Sequence, residues 1–290
     1  MLENRNLCIL ILNWNSHDDA IRAAKLLSGS PWDVCIVDNG SDDSSAVTSL
    51  RDGSRRLHVL ETGQNLGYAG GMNFGMRWAR GEGFSHVLLL NPDTTPSVDV
   101  IEGMLRASEG CAVVGTAQVT EDHTPYLSAA TLRGKKVVPF QCPTSCGRGH
   151  DVDIVSGAGI MVELDVAHSL GYIDEQFFHY KEEFDFCYRV SSAGHRVRYH
   201  CGTPLIHRRG GSLSGSSPSA SYYSYRNEML FLQKHYGPFV VFSCLGLYKN
   251  AVLSMTHHPR NAKAILRGIA HGIRGVTGPL FNLNAKGRGR

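Results

Sequence analysis

The amino-acid sequence predicts an α/β protein built on a mostly parallel sheet that helices cover on both faces. Short apolar runs, often rich in β-branched residues, alternate with helix-like stretches over the first 117 residues. Such runs are typical of parallel strands that are buried on both sides. Polar residues follow three of these runs: Asn13 and Asp38 come directly after theirs, and Asp93 stands within three residues of the end of its run. Ligands bind at the carboxyl ends of the strands in sheets of this kind.

The elements can be assigned in order along the chain. We expect strands at 7–12, 33–37, 57–61, 86–90 and 112–115, and helices near 18–27, 44–51, 68–80 and 98–107. From 116 to about 153 the periodicity is lost and Pro, Gly and Thr become frequent, which indicates loops and an antiparallel hairpin. A further strand is expected within "DIVSGAGIMVELD", a helix within "EEFDFCYRVSSAG" that ends at Gly194, and another helix at 219–235.

Charge divides the chain into a body and a tail. Residues 237–290 contain eight Lys or Arg and no Asp or Glu, whereas the rest of the chain is net negative. The apolar run at the start of the tail is interrupted by Gly246, Lys249 and Asn250, so it falls short of the about 20 apolar residues that a membrane-spanning helix needs. We predict a domain over 1–236 and a basic amphipathic helical tail over 237–290.

The tail has two interpretations. A basic amphipathic helix would be attracted to an anionic membrane surface. Alternatively, the tail packs as a helix pair whose basic face is solvated. Its scarcity of aromatic residues and the lack of any nucleic-acid-binding signature argue against nucleic acid as a partner.

The eight cysteines are scattered, and Cys142 and Cys146 are the only close pair. Their spacing matches no zinc pattern, so we expect buried thiols in a reducing compartment. The apolar run "NLCILILNWN" lacks the basic start and the small-residue cleavage site of a signal peptide, and we expect it to form the first strand.

Two glycine-containing motifs could bind a nucleotide. In "IVDNGSDD", the Asp38 carboxylate could accept hydrogen bonds from a nucleobase or ribose, or it could end the strand in an Asx-turn. In "NLGYAGGMNFG", glycines at the start of a helix either admit a phosphate to the positive end of the helix dipole or allow tight packing on the sheet. Neither motif is the dinucleotide-binding fingerprint or a P-loop, which argues against an NAD-dependent enzyme.

Three motifs carry the groups expected to do chemistry. In "NPDT", Asp93 and Asn91 could ligate Mg²⁺ or Mn²⁺, or Asp93 could cap the next turn. In "PLIHRRGGS", His207 is either a metal ligand or structural, and the arginines beside it could face a diphosphate. In "HYKEEFDFCYR", acids at the start of a helix could satisfy the helix dipole. Burial among phenylalanines would also raise the pKa of such an acid and suit it to act as a general base.

The order of these motifs closely resembles that of bacterial inverting glycosyltransferases of family 2. The matching segments are Trp14-Asn15, "VDNGSDD", "NLGYAGGMN", "LNPD", "GAGIMV", "GYIDEQFFHYKEEFDFCYR" and "HRRGGS", which together cover roughly residues 5–235. The subgroup that the chain resembles contains the rhamnosyltransferases and galactofuranosyltransferases of cell-surface polysaccharide assembly.

The resemblance implies a GT-A fold with a Rossmann-like sheet, a small antiparallel element and a C-terminal helical extension. A nucleotide-sugar-binding half would occupy 1–117 and an acceptor and catalytic half 118–236. The family's metal-binding D-x-D element is Asn91-Pro92-Asp93 here, so its first acid is an amide. Asp93 and His207 then match the metal ligands. The residues expected to bind the donor are Trp14, Asn15, Asp38, Asn65, Gly67, Gly71, Asn73, Asn91, Arg208 and Arg209.

The family's catalytic base lies in an acidic pair that reads Glu182-Glu183 in this sequence. We expect Glu183 to be the base, with Asp185 as the second choice. The implied reaction is transfer of rhamnose from dTDP-rhamnose to a lipid-linked or polysaccharide acceptor, in the cytoplasm at the inner face of the plasma membrane. The alternatives are a UDP-sugar donor such as UDP-galactofuranose, or a catalytically silent subunit that only binds sugar nucleotides.

Overall fold

The structure, a computed structural model, describes residues 6–51, 55–134, 136–140, 142, 146–208, 217–239, 245–257 and 259–280. The chain divides into two compact units. The first contains Met1–Asp174 and Glu183–Arg209, and the second contains Glu175–Glu182 and Gly210–Arg290. The second unit therefore includes residues before 237, where the charge pattern places the start of the tail.

Among the described residues, the first unit contains a nine-stranded mixed sheet and a three-stranded sheet. The strands are β1 (Leu7–Asn13), β2 (Asp33–Asp38), β3 (Leu57–Glu61), β4 (His86–Leu90), β5 (Thr94–Thr95), β6 (Val113–Val119), β7 (Ala129–Arg133), β8 (Lys136–Pro139), β9 (Arg148–Asp151), β10 (Ile154–Val155), β11 (Gly159–Glu163) and β12 (Val197–His207). The large sheet has the order β3-β2-β1-β4-β11-β6-β12-β5, with β9 also paired to β12.

Strands β1 to β4 pair in parallel, as the sequence predicts, and β6 and β12 form a second parallel pair. Every residue of β1 is buried, and alternate residues enter two separate hydrophobic clusters. Leu10 packs in the cluster that contains Met72, whereas Ile9 packs in the cluster that contains Ile101. The two buried faces explain why these strands read as continuous apolar runs.

Helices of the first unit cover the sheet. They are α1 (His17–Leu26), α2 (Ser45–Thr48), α3 (Gly67–Gly81), α4 (Val98–Ala107), α5 (Leu164–Ser169) and α6 (Glu182–Ser192), whose first residue is assigned to the second unit. The sequence does not predict that β11 lies antiparallel between β4 and β6. The predicted hairpin in the 116–153 segment is confirmed as β7 and β8.

The second unit is helical. It contains α7 (Pro218–Tyr236), α8 (Leu245–His257) and α9 (Ala262–Ile273). Helix α7 begins after Ser217, whose hydroxyl accepts a hydrogen bond from the Ala220 N–H. Helices α7 and α9 pack closely at Gly272. A Cβ added there would lie 2.5 Å from the Arg226 carbonyl oxygen. In the part of the chain that the structure describes, no helix combines the length and the apolar character needed to cross a bilayer.

Candidate active site

The parallel part of the sheet brings the predicted polar residues to one edge. Asn13 and Asp38 are direct partners in the β1–β2 register, and Ile11 pairs with Leu90 at the end of β4. The chain order reverses here, because β1 lies between β2 and β4. This is the position at which open α/β sheets bind their ligands.

A short strand pairing places Asp93 next to His207. Strand β5 pairs with the end of β12, where His207 is opposite Thr94, and the Arg208 N–H donates to the Asp93 carbonyl oxygen at 3.0 Å. The Asp93 Oδ1 atom lies 3.2 Å from His207 Nε2, and Asp93 is only 8% exposed. The two predicted metal ligands are therefore neighbours, although they are far apart in the sequence.

The geometry of this pair fits a divalent cation. Adjacent ligands of an octahedral ion with bonds of about 2.1–2.2 Å lie about 3 Å apart. The 3.2 Å between Asp93 Oδ1 and His207 Nε2 agrees with that separation. A turn carries Asp93 to this position, since the Thr94 hydroxyl donates to the Asn91 carbonyl oxygen at 2.7 Å. Asn91 itself is half-buried, and its N–H donates to the Ala158 carbonyl oxygen at 3.1 Å.

Asp38 organises the loop after β2. Its carboxylate accepts hydrogen bonds from Asn13 Nδ2 at 2.6 Å, from the Ser41 hydroxyl at 2.8 Å and from the Ser41 N–H at 3.0 Å. The Asx-turn interpretation is therefore present in the structure. A carboxylate has about four acceptor positions, so one remains for a ligand. Trp14 and Asn15 follow β1 at the same edge, and Trp14 is 39% exposed.

The start of α3 is held by two asparagines. The Asn65 side chain accepts a hydrogen bond from the Gly67 N–H at 2.8 Å. The buried Asn39 side chain donates to the Gly67 carbonyl oxygen at 2.9 Å and accepts from the Leu66 N–H at 3.1 Å. Asn39 is a positioning residue that we did not predict, although it stands directly after Asp38 in the motif.

Two of the predicted donor-binding residues have structural contacts. A Cβ on Gly71 would lie 2.5 Å from Leu12 Cδ1, so the glycine allows α3 to pack tightly on β1. Asn73 is 0% exposed; its Nδ2 donates to the Ile173 carbonyl oxygen at 2.7 Å, and its Oδ1 accepts from the Ile173 N–H at 3.0 Å. Both residues contact the protein interior here, and donor contact by Gly71 and Asn73 stays a prediction.

Arginines surround the turn that carries Asp93. Arg22 donates to the Thr95 hydroxyl at 3.1 Å and to the Thr94 carbonyl oxygen at 3.0 Å. Arg208 forms an ion pair with Asp19, which also lies 3.9 Å from Arg22. Arg22 is a cation at this edge that the sequence analysis missed, because nothing in α1 indicates which turn it contacts. The predicted Arg209 lies outside the described residues.

The acids of α6 differ in their surroundings. Asp185 is 0% exposed and pairs with Arg189 Nε at 2.7 Å. Arg189 also donates to the carbonyl oxygens of Leu170 and Tyr172, at 2.8 and 2.7 Å. Asp185 is thus the buried partner of a structural ion pair, which argues against its prediction as a second-choice base. Glu182 is also buried, at 4% exposure.

Glu183 is half-buried and lies beside the turn that precedes β11. A Cβ on Gly157 would be 3.5 Å from Glu183 Cβ and 3.4 Å from the Tyr68 hydroxyl, which donates to the Gly157 carbonyl oxygen at 2.5 Å. The next residue, Ala158, accepts the hydrogen bond from Asn91. A short chain of contacts therefore connects Glu183 with the turn that carries Asp93.

In the second unit, the segment before Glu182-Glu183 has an unusual backbone conformation. Phe178, Tyr180 and Lys181 have positive φ angles of 64°, 68° and 69°. Such conformations cost roughly 1–3 kcal/mol each for residues other than glycine and are concentrated at functional sites. Asn227, 0% exposed, holds this segment through hydrogen bonds from its Nδ2 to the carbonyl oxygens of Phe177, His179 and Tyr180.

The sequence analysis missed Asn227 because it lies within an ordinary-looking helix. The neighbouring Arg226 is also 0% exposed and donates to the Phe177 carbonyl oxygen at 2.6 Å. The sequence feature that could have revealed Arg226 and Asn227 is their position on the apolar side of a predicted helix. Buried polar side chains need hydrogen-bond partners, so such a pair predicts a polar contact in the interior.

Comparison with known proteins identifies the family of the chain. The model of the family described as "Glycosyl transferase family 2" matches residues 13–162, which is half of the chain. The low-salt glycan biosynthesis hexosyltransferase Agl10 of Haloferax volcanii is 29% identical over 192 residues, covering 64% of this chain and 61% of Agl10. The dTDP-rhamnosyl transferase RfbF of Shigella flexneri is 22% identical over 267 residues, covering 84% of this chain and 87% of RfbF.

Solved structures share the fold. GalNAc-T7, crystallised with UDP, GalNAc and Mn²⁺, superimposes with a TM-score of 0.62 at 13% identity, over 80% of this chain and 48% of its own. S. aureus TarS 1–349 in complex with UDP-GlcNAc superimposes with a TM-score of 0.59 at 13% identity, over 93% of this chain and 81% of its own. The predicted GT-A fold is confirmed. The chain belongs to glycosyl transferase family 2.

Proposed function

We propose that this protein transfers a sugar, with inversion at the anomeric carbon, from a nucleoside-diphosphate donor to a glycan or lipid-linked glycan acceptor. The observation that carries the proposal is the pairing of Asp93 and His207 at 3.2 Å beside the carboxyl ends of β1, β2 and β4. The proposed donor is dTDP-rhamnose, because the similarity to RfbF extends over most of both chains.

Asp93 and His207 would hold the cation, Mg²⁺ or Mn²⁺. When bound, this ion supplies positive charge that offsets the charge of the departing diphosphate. Arg22 and Arg208 lie close to the same turn and would add to the positive field there. On the nucleoside side, the exposed Trp14 ring offers a surface for stacking, and Asp38 retains acceptor capacity for the base or ribose.

Glu183 would remove the proton from the acceptor hydroxyl. The transition state is expected to resemble an oxocarbenium ion, as in glycoside hydrolysis. The acceptor oxygen attacks the anomeric carbon from the face opposite the diphosphate, so one displacement inverts the configuration. Among the three candidate acids, Glu183 is the half-buried one, whereas Glu182 and Asp185 are buried. A general base needs access to the acceptor, which favours Glu183.

The proposed base is tested by exchanging one acid at a time. Glu183→Gln should lower kcat by about 10²–10⁴-fold and leave the KM for the donor little changed. Glu109→Gln, at an exposed position after α4, is the matched control and should retain activity. Circular dichroism checks that each variant is folded. Full activity in Glu183→Gln would exclude this residue as the base.

Two alternatives concern the donor and the chemistry. A UDP-sugar donor is favoured by the fold neighbours that bind UDP or UDP-GlcNAc. A panel of dTDP- and UDP-sugars, assayed with Mn²⁺ for donor hydrolysis and transfer, separates these possibilities. A catalytically silent subunit would bind a sugar nucleotide and consume none of the panel, and that result would overturn the proposed activity.

The helical tail would bring the enzyme to an anionic membrane surface, at the cytoplasmic side of the plasma membrane. Val252, Leu253 and Leu266 are about half exposed, at 55%, 46% and 57%. Arg260 and Lys263, between these positions in the chain, are exposed as well. Exposed apolar and cationic groups together favour anionic lipid.

Vesicle co-sedimentation tests the tail. The protein should bind vesicles that contain phosphatidylglycerol and not vesicles of phosphatidylcholine alone, and Arg260→Glu with Lys263→Glu should weaken binding. The matched control reverses charge at Arg106 and Arg133 in the first unit, which are both exposed cations. Equal binding to both kinds of vesicle would contradict an electrostatic attraction.

A further inference from the structure

Three sulfur atoms and one imidazole meet in the first unit, away from the candidate active site residues. Cys142, Cys146, His150 and Cys201 each direct one potential ligand atom to a common point, and these atoms all lie within 4.8 Å of one another. Cys146 Sγ is 3.2 Å from His150 Nε2 and 3.6 Å from Cys142 Sγ, and Cys142 Sγ is 3.9 Å from His150 Nε2. In this structure Cys142 and Cys201 are joined as a disulfide.

Backbone pairing brings these residues together. Strand β9 pairs antiparallel with β12, so that His150 is opposite Tyr199, and Cys201 is two residues further along the same face of β12. The Gly147 N–H donates to the Cys201 carbonyl oxygen at 2.6 Å, which places the adjacent Cys146 near Cys201. Two ligands therefore lie on hydrogen-bonded strands, and a third is anchored by a backbone hydrogen bond.

We propose that Cys142, Cys146, His150 and Cys201 form a structural zinc site. Three thiolates and one imidazole are a common ligand set for tetrahedral Zn²⁺, with bonds of about 2.3 Å to sulfur and about 2.0–2.1 Å to nitrogen. In a tetrahedron of that size, sulfur atoms lie about 3.8 Å apart and sulfur and nitrogen about 3.5 Å apart. The three measured distances among Cys142, Cys146 and His150, from 3.2 to 3.9 Å, agree with these values.

The ligand types select zinc over the cation proposed at Asp93. Thiolates are soft ligands that favour zinc, whereas Mg²⁺ and Mn²⁺ favour carboxylate and carbonyl oxygen. Four protein ligands complete the coordination shell and leave no open position for substrate, which is the property of a structural site. The ion would join the segment before β9 to β12, the strand that also carries His207.

The disulfide uses only two of the four groups. It gives no reason for the Cys146 thiol and the His150 imidazole to lie against it. The other described cysteines behave differently, since Cys8, Cys35, Cys111 and Cys187 are buried thiols outside this cluster. The prediction of buried thiols is correct for those four, but it is wrong for this cluster, where Cys146 is exposed. The spacing conceals the site because the fourth ligand comes from a distant strand.

The test measures metal content and does not depend on activity. The full chain, purified with a reducing agent and dialysed after incubation with Zn²⁺, should contain about one zinc per chain by inductively coupled plasma mass spectrometry. Cys146→Ser and His150→Ala should lose at least about nine tenths of it. Cys111→Ala and His195→Ala are the controls, because both residues lie outside the cluster, and they should retain the zinc.

A second measurement covers variants that fold poorly. Cobalt(II) added to the reduced wild-type chain should give the intense visible absorption of tetrahedral thiolate coordination, and zinc should displace it. Reduced wild-type protein that takes up neither ion would overturn the proposal. So would a Cys142–Cys201 disulfide that persists under reduction, detected by mass spectrometry after alkylation. Zinc content should be unaffected by Asp93→Asn, so this site can fail or succeed independently of the proposed transferase.

Discussion

The Asn227 side chain is the most informative residue to change in the second unit. It is fully buried, and its Nδ2 donates to the carbonyl oxygens of Phe177, His179 and Tyr180 at 2.8, 2.8 and 2.6 Å. The segment that it holds leads directly into Glu182-Glu183. Its replacement therefore tests whether the unusual backbone before the acidic pair depends on this one amide.

The expected loss of stability can be worked out from these contacts. Phe177 retains the hydrogen bond from Arg226, so Asn227→Ala removes the donor to the His179 and Tyr180 carbonyl oxygens and the acceptor of the Arg226 Nε–H. Removing the donor to a buried acceptor costs about 1–3 kcal/mol. Two such losses alone give a decrease of about 2–6 kcal/mol in the free energy of unfolding. Asn227→Asp should also be harmful despite its similar size, because a carboxylate oxygen would face the carbonyl oxygens that Nδ2 now contacts.

Urea denaturation followed by circular dichroism measures this loss. Gln233→Ala is the matched control on the same helix, since its amide donates one hydrogen bond, at 3.2 Å, to the Ile273 carbonyl oxygen. The control should lose about 1 kcal/mol or less. If Asn227→Ala and Asn227→Asp both unfold like the control, the segment does not depend on Asn227 and the reasoning is refuted.

Three further predictions concern the interior. Asp185→Asn removes the buried carboxylate that pairs with the half-buried Arg189 and should lower the free energy of unfolding by about 1–3 kcal/mol in urea denaturation; an unchanged stability would show that the pair is not structural. Gly272→Ala would place a Cβ 2.5 Å from the Arg226 carbonyl oxygen and should cost about 1–3 kcal/mol, measured the same way, and an unchanged stability would mean that α7 and α9 pack differently. Burial lowers the pKa of His179 from 6.5 to about 4, so the folded state binds fewer protons than the unfolded state and stability falls as the pH drops from 6.5 towards 4. Because His179 is only half-buried, we expect the free energy of unfolding to fall by about 1–2 kcal/mol over this pH range. His179→Gln should not show this fall, and the same pH profile in that variant would contradict the lowered pKa of His179.

The parallel half of the fold could be predicted because its physical cause is local. A strand such as β1, buried on both faces, needs an apolar residue at nearly every position, and the sequence shows this directly. The antiparallel insertion of β11 could not be predicted, because its five residues fit either orientation and the pairing depends on distant strands. The hairpin of β7 and β8 followed from the loss of periodicity and from the turn residues.

The residues of the candidate site could be predicted where a sequence motif indicates their chemical role. Asp93 follows a buried strand, and the family resemblance assigned His207 to the same cation. In the structure, His207 Nε2 lies 3.2 Å from Asp93 Oδ1. Burial could not be inferred in the same way. Asn73 stands in a glycine-rich motif that suggests a ligand, yet its amide is used by the backbone of Ile173. The Asn39 side chain forms hydrogen bonds with the backbone at the start of α3, and no feature of the sequence indicated this role.

Manganese binding tests the central claim most directly. Titration of Mn²⁺ followed by electron paramagnetic resonance, in the presence of dTDP or UDP, should show one tight site in the wild-type chain. Asp93→Asn and His207→Ala should each weaken it by at least about tenfold, because each removes a ligand. Asp99→Asn, an exposed carboxylate in α4, and Cys146→Ser should leave it unchanged. If Asp93→Asn and His207→Ala bind manganese as tightly as the wild type, the cation does not lie between these two residues and the account is wrong.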